Sequence, residues 1–254
     1  YQLAYLKVQY PLSFYQALLN NGRSNSSTAN QYFQEAKKNL KKISGLDINQ
    51  SLTGFSVAKK QLHVGFDSVK GMRKELIQHI IDDRNLLGAY TNLLNFLRRL
   101  PNNFLKLEII QPLIDGGAFD NFGYNRATLT HNLPTMIQSV EFSGQNVSLF
   151  AEIEPKITWI KEWSLTEQLE REQAVLGFSL AGHPLDDYQE YIEQHPDLSQ
   201  LVSIHEMNVK QKIKTIAYIK GVRVIRTKTN DLMAFVSASD NDTEIELIVF
   251  PQQY

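Results

Sequence analysis

Cysteine is absent from the 254 residues. That absence excludes disulfides, thiolate metal sites and a cysteine nucleophile, and it fits a reducing cytoplasm. Long apolar runs are missing as well, since nothing reaches the roughly eighteen residues that cross a bilayer. The opening Tyr1-Gln2-Leu3-Ala4 has neither the basic nor the apolar region of a secretory leader. No membrane association is expected, and the chain reads as a soluble cytoplasmic one, either unprocessed or cut from something longer. The six histidines show no HxH or HExxH spacing, so no metal site is expected. Ser179 and His183 lack the G-x-S-x-G context of a hydrolase elbow, and Asp186-Asp187 are merely neighbours. No catalytic residue is assigned.

The net charge of −1 hides a strong segregation. Residues 1–60 carry eight basic against two acidic side chains, and residues 61–138 eight against seven. Residues 139–205 carry three against twelve, and residues 206–254 seven against six. In the last block Lys210, Lys212, Lys214, Lys220, Arg223, Arg226 and Lys228 follow one another with no acid among them. The division suits polyanion-facing ends around an acidic connector, although solvated faces give the same counts. Hydrophobic content of 43% supports a sizeable core, and the length suits two or three modules.

Apolar spacing predicts a helix over residues 3–20, broken or bent at Pro11, and then a polar Asn/Ser/Gly loop over residues 21–30. A basic helix over residues 32–43 stops near Gly45, and residues 56–65 mix short extended runs with turns. From residue 62 onwards the pattern becomes helices joined by glycine hairpins. Val69-Lys70-Gly71-Met72 turns into a helix through Leu76, Ile80 and Arg84, and a further helix covers residues 89–100. Residues 105–114 then lead through Gly116-Gly117-Ala118-Phe119 and Gly123 to a helix begun by Arg126 and limited or kinked at Pro134.

Such a unit can hold DNA without reading its sequence. Glycine permits the left-handed turn and lets amides at the next helix's start face a phosphate oxygen. Lys70, Gly71, Met72, Arg73 and Lys74 in the first hairpin are the candidate contacts, with Gly117, Ala118, Phe119, Gly123, Asn125 and Arg126 in the second. A helical core with glycine caps satisfies the same spacing.

After a helix ending near Ser139, Gln145-Asn146-Val147-Ser148-Leu149-Phe150 has no helical period. An amide followed by adjacent large apolar side chains suits a docking peptide, while composition alone favours a loop anchored in the core by Phe150. An acidic helical stretch over residues 165–178 follows. Past residue 206 the period changes to that of strands: 213–225, 232–238 and 244–250, with turns at Asn230-Asp231 and 240–242. A long strand with internal Gly221 entering a three-strand meander has the form of an opening OB barrel. Arg223, Arg226 and Lys228 are placed to meet phosphates, and Phe235 either stacks on a base or packs in the core. The fold class is therefore mainly α and multi-domain with a C-terminal β segment.

Four strings carry a resemblance: AYLKVQYP at 4–11, LIDGGAFDNFGYNRATL at 113–129, LGFSLAGHPLDDY at 176–188 and IRTKTNDLMAFV at 225–236. In this order they resemble the C-terminal half of the bacterial replicative DNA polymerase III alpha subunit of the DnaE type. The resemblance implies the end of the fingers over residues 1–60 and a tandem helix-hairpin-helix module over 61–138. It further implies a clamp-binding peptide region over 139–155, an acidic helical connector over 156–205 and the N-terminal part of an OB domain over 206–254, with further strands beyond Tyr254. The partners implied are double-stranded DNA, single-stranded template at the OB part, the sliding clamp (beta subunit) and other replisome subunits. The parent would elongate DNA by nucleotidyl transfer with magnesium, using aspartates upstream of Tyr1. No cofactor is implied for residues 1–254. Arg73 stands where the family's first hairpin has a second glycine, and the clamp peptide has six residues in place of the commoner five. A free-standing helix-hairpin-helix and OB protein of repair or recombination is the rival reading.

Overall fold

The computed structural model describes residues 2–22, 26–145, 155–180, 182, 184–198, 212–239 and 244–254. The chain divides into two compact units, Tyr1–Leu180 and Ala181–Tyr254.

In the first unit, α1 (Gln2–Gln9) and α2 (Pro11–Asn21) are separated by Tyr10, whose ψ of 56° is not helical. The cause is the proline ring, which disfavours helical backbone in the residue before it yet suits the first helical position itself. Tyr15 and Leu19 of α2 are buried with Phe33 and Ala36 of α3 (Ser26–Asn39). α3 begins inside the stretch expected to be loop, because burial of Phe33 and Ala36 outweighs the modest helix propensity of Asn and Ser. It ends before Ile43, which with Ser44 forms β1 (Ile43–Ser44) and pairs in parallel with β3 (Gln61–His63). β2 (Ser56–Ala58) pairs antiparallel with β3, giving the order β1-β3-β2.

The hairpin module follows as α4 (Lys74–Leu87), α5 (Leu93–Arg99), α6 (Leu107–Asp115) and α7 (Arg126–Gln145). α5 starts at Leu93 and not Ala89, since Asn92 caps it by accepting the Asn95 amide at 2.8 Å while Tyr90 is drawn into the core. α7 passes through Pro134 and runs to Gln145, past the helix end that the sequence places near Ser139. α8 (Leu165–Leu176) is capped by Ser164 and closed by Gly177 at φ 82°. Leu176 and Phe178 belong to the same core as α2 to α7, and Phe178 stacks on Phe33 with ring centroids 3.9 Å apart.

Among its described residues the second unit has a 3-10 turn over Pro184–Tyr188, α9 (Gln189–Gln194) and three strands. These are β4 (Tyr218–Arg226), β5 (Leu232–Ser239) and β6 (Glu244–Val249), an antiparallel meander in the order β4-β5-β6. β4 begins at Tyr218 and not Ile213, its register slips between Ile219 and Gly221, and Ala234, Val236 and Ala238 of β5 are buried. The described strands form an open sheet. Among the described residues no helix is long and apolar enough to cross a membrane.

Candidate nucleic-acid interface

The first hairpin is short. Met72 donates its amide to the Val69 carbonyl at 3.2 Å, and Gly71 takes φ 77° with open space around its α-carbon. Arg73, with extended backbone, precedes α4 and supplies no side-chain cap. Among the described residues nothing accepts the Lys74 and Glu75 amides, which open beside the exposed Arg73 and Lys74 side chains. Lys70 is exposed yet engaged: its amide donates to Val175 at 2.9 Å and its ammonium to Ala174 at 2.8 Å. Both acceptors are carbonyls of the last turn of α8, where a cation is favoured. Met72 is half-buried and packs against the core.

The second hairpin spends its amides on its own helix. Gly117, at φ 83°, donates to Ile114, and Ala118 donates to Leu113, both at 2.9 Å, the paired bonds that close a helix with a left-handed residue. Ala118 and Phe119 are buried, Phe119 lying 5.2 Å from the ring of Phe96. Gly123 takes φ 78°. Asn125 caps α7 by accepting the Thr128 amide at 2.7 Å and donates to the Ile160 carbonyl at 3.0 Å.

Arg126 is turned inward. Its guanidinium donates to both oxygens of Asp120 at 2.9 and 2.7 Å, to Glu172 at 3.0 Å and to the Asp115 carbonyl at 2.9 Å. Burial alone would lower its pKa, but the hydrogen bonds to Asp120 and the charges of Asp120 and Glu172 outweigh burial and raise it. Glu172 is fully buried, and its other oxygen accepts the Leu180 amide. The first two amides of α7 are also taken: Arg126 and Ala127 donate to the carboxylate of Glu162 at 2.9 and 3.1 Å.

Glu162, Glu172, Thr128 and Asn132 were not among the residues singled out from the sequence. Their partners lie up to 46 positions away, and no local spacing announces them. Thr128 and Asn132 hold the irregular segment that returns along α7. Asn132 exchanges two hydrogen bonds with the backbone of Thr158 at 2.8 and 2.9 Å, and Thr128 two with Ile160 at 3.1 and 3.0 Å.

Gln145 is the last residue of α7. Its side chain, and all of Asn146, Val147, Ser148, Leu149 and Phe150, lie outside the described residues. In the second unit, Arg223 pairs across the sheet with Phe235 and its guanidinium sits 4.9 Å from that ring. Arg226 donates to the carbonyl and side chain of Asn230, both at 3.2 Å, closing the turn that exposes Lys228. Among the described residues no three His, Asp or Glu converge as metal ligands.

A helix-hairpin-helix motif family matches residues 41–129. Over its whole length the chain is 31% identical to DNA polymerase III subunit alpha of Borreliella burgdorferi, covering 23% of that protein. The same-named protein of Treponema pallidum is 30% identical over 99% of this chain and 22% of its own length. That of Bacillus subtilis is 30% identical over all of this chain and 23% of its own length. The chain thus spans less than a quarter of each of these relatives.

Proposed function

The chain is a relative of DNA polymerase III alpha subunits and carries a helix-hairpin-helix motif, and from that premise we propose that it is the tethering part of a replicative polymerase. It holds duplex DNA by its phosphates and docks on the sliding clamp in the cytoplasm, while the whole polymerase elongates DNA by magnesium-dependent nucleotidyl transfer. The observation that carries the DNA arm is the open start of α4 behind Gly71, flanked by the exposed Arg73 and Lys74. Amides and cations gathered there favour a phosphate oxygen and read no base. Arg126 serves this module by fixing the second hairpin.

The clamp arm rests on the resemblance and on the chemistry of Gln145-Asn146-Val147-Ser148-Leu149-Phe150, an amide followed by two apolar side chains suited to one pocket. In the second unit Arg223, Arg226 and Phe235 lie on the paired strands β4 and β5 and Lys228 in the turn that joins them, which supports a contact with single-stranded template. Similarity to the polymerase subunits along the whole chain gives the free-standing repair protein no particular support.

Calorimetry against the beta clamp tests the clamp arm. The native chain is expected to bind, and Leu149→Ala/Phe150→Ala to lose binding by tenfold or more, about 1.4 kcal/mol or above. Equal binding by both would show that this peptide does not dock on the clamp.

A further inference from the structure

The two hairpins differ in what lies over the helix that follows each. We infer that Glu162 takes the place of a DNA phosphate at the start of α7, so that the module meets the duplex backbone through its first hairpin and keeps the second as an internal brace. This rests on the reading that the module binds duplex DNA.

The carboxylate engages two successive amides of the first turn of a 20-residue helix, Arg126 at 2.9 Å and Ala127 at 3.1 Å. Adjacent amides at a helix's positive end are also what an oxyanion such as phosphate binds. Glu162 Oε1 accepts the Trp163 amide as well, at 2.9 Å, which fixes the carboxylate's orientation. The segment bearing it is stitched to α7 at Thr158 by Asn132 and at Ile160 by Thr128 and Asn125. Trp159 lies 5.0 Å from the ring of Tyr124. On the other side of Glu162, Gln168 donates to the Trp163 carbonyl at 3.1 Å and Arg171 sits 4.0 Å from the Trp163 ring, so built contacts hold both flanks.

The cation of the second hairpin is filled in the same way. Arg126, the residue that would clamp a phosphate there, is bound by Asp120 and by Glu172 from α8. A DNA phosphate approaching this corner meets carboxylates already seated on its donors, and like charge at short range is repulsive. At the first hairpin no side chain among the described residues caps α4, and Arg73 and Lys74 remain exposed. The same chain thus presents one hairpin open to phosphate and one closed by its own acids.

The test is an amide NMR titration of the isotopically labelled full chain with a short duplex of arbitrary sequence at low salt. Amides of Gly71, Met72, Lys74 and Glu75 are expected to shift and those of Arg126 and Ala127 to stay. Shifts at Arg126 and Ala127 matching those at Lys74 would overturn the inference while leaving duplex binding intact. Shifts at neither hairpin would remove the duplex reading itself, and the inference with it. Glu162→Gln keeps an acceptor oxygen and removes the charge. With the Thr158 and Ile160 amides in their native positions, this variant is expected to let Arg126 and Ala127 respond to duplex. The magnitude of the salt slope of binding should rise by up to about one. Indifference of those two amides in a variant that keeps the segment seated would contradict the surrogate role.

Discussion

Arg126 donates to Asp120, Glu172 and the Asp115 carbonyl, and Glu172 has no exposure to solvent. Removing the guanidinium strands a buried carboxylate, which costs more than the pair itself is worth. Arg126→Ala is expected to lower the unfolding free energy by about 3–5 kcal/mol, read from urea denaturation. A loss of DNA affinity with unchanged stability would contradict the inward role. Asp115 makes a pH prediction. Burial pushes its carboxyl above the ordinary 3.8, against the Gln111 hydrogen bond and the charges of Arg171 and Arg126. Because the folded value exceeds the unfolded one, any stability from this group is present at acid pH and lost as pH rises through the folded value. Asp115→Asn keeps an acceptor for Gln111, so the variant should gain on the native chain as pH is raised from about 4 to 7. A pH-independent difference would contradict this. The motif around Arg126 was legible in the sequence. Its use was not, because Glu172 and Glu162 reach it only through the fold.

Elements show the same division between local signals and distant ones. The break at Pro11, the helix over α4 and the strands β4 to β6 follow from proline geometry and apolar period, and their existence was legible. Boundaries failed where packing or a cap overrides composition. α3 starts within an Asn/Ser stretch, α5 waits for Asn92, and α7 runs through Pro134. α8 read as acidic connector, yet its carbonyls hold Lys70 and its Glu172 holds Arg126, so it braces both hairpins. The β2–β3 turn adds a measurable feature. Lys59 and Lys60, at φ 49° and 60°, occupy the two central positions of a two-residue hairpin, where left-handed backbone favours Asn-Gly. Lys59→Asn/Lys60→Gly should stabilise the chain by about 1–2 kcal/mol, seen as a higher urea midpoint at constant slope. An unchanged midpoint would show that the turn carries no strain.

At the scale of the molecule, the charge segregation along the sequence anticipates the chemistry better than the architecture. Residues 155–180 belong with the hairpins and bring their acids onto Arg126 and the start of α7, which leaves the basic first hairpin as the open face. No periodicity in the sequence shows that α8 returns to the core of α2 and α3. On the proposed function this open hairpin grips phosphates without reading bases. Its most direct test is the salt dependence of duplex binding by the native chain and Arg73→Ala/Lys74→Ala, measured on several unrelated sequences. The variant is expected to bind every duplex more weakly by the same factor, with the slope of log affinity against log salt reduced in magnitude by roughly 1–2. An unchanged slope, or a loss confined to one sequence, would contradict it.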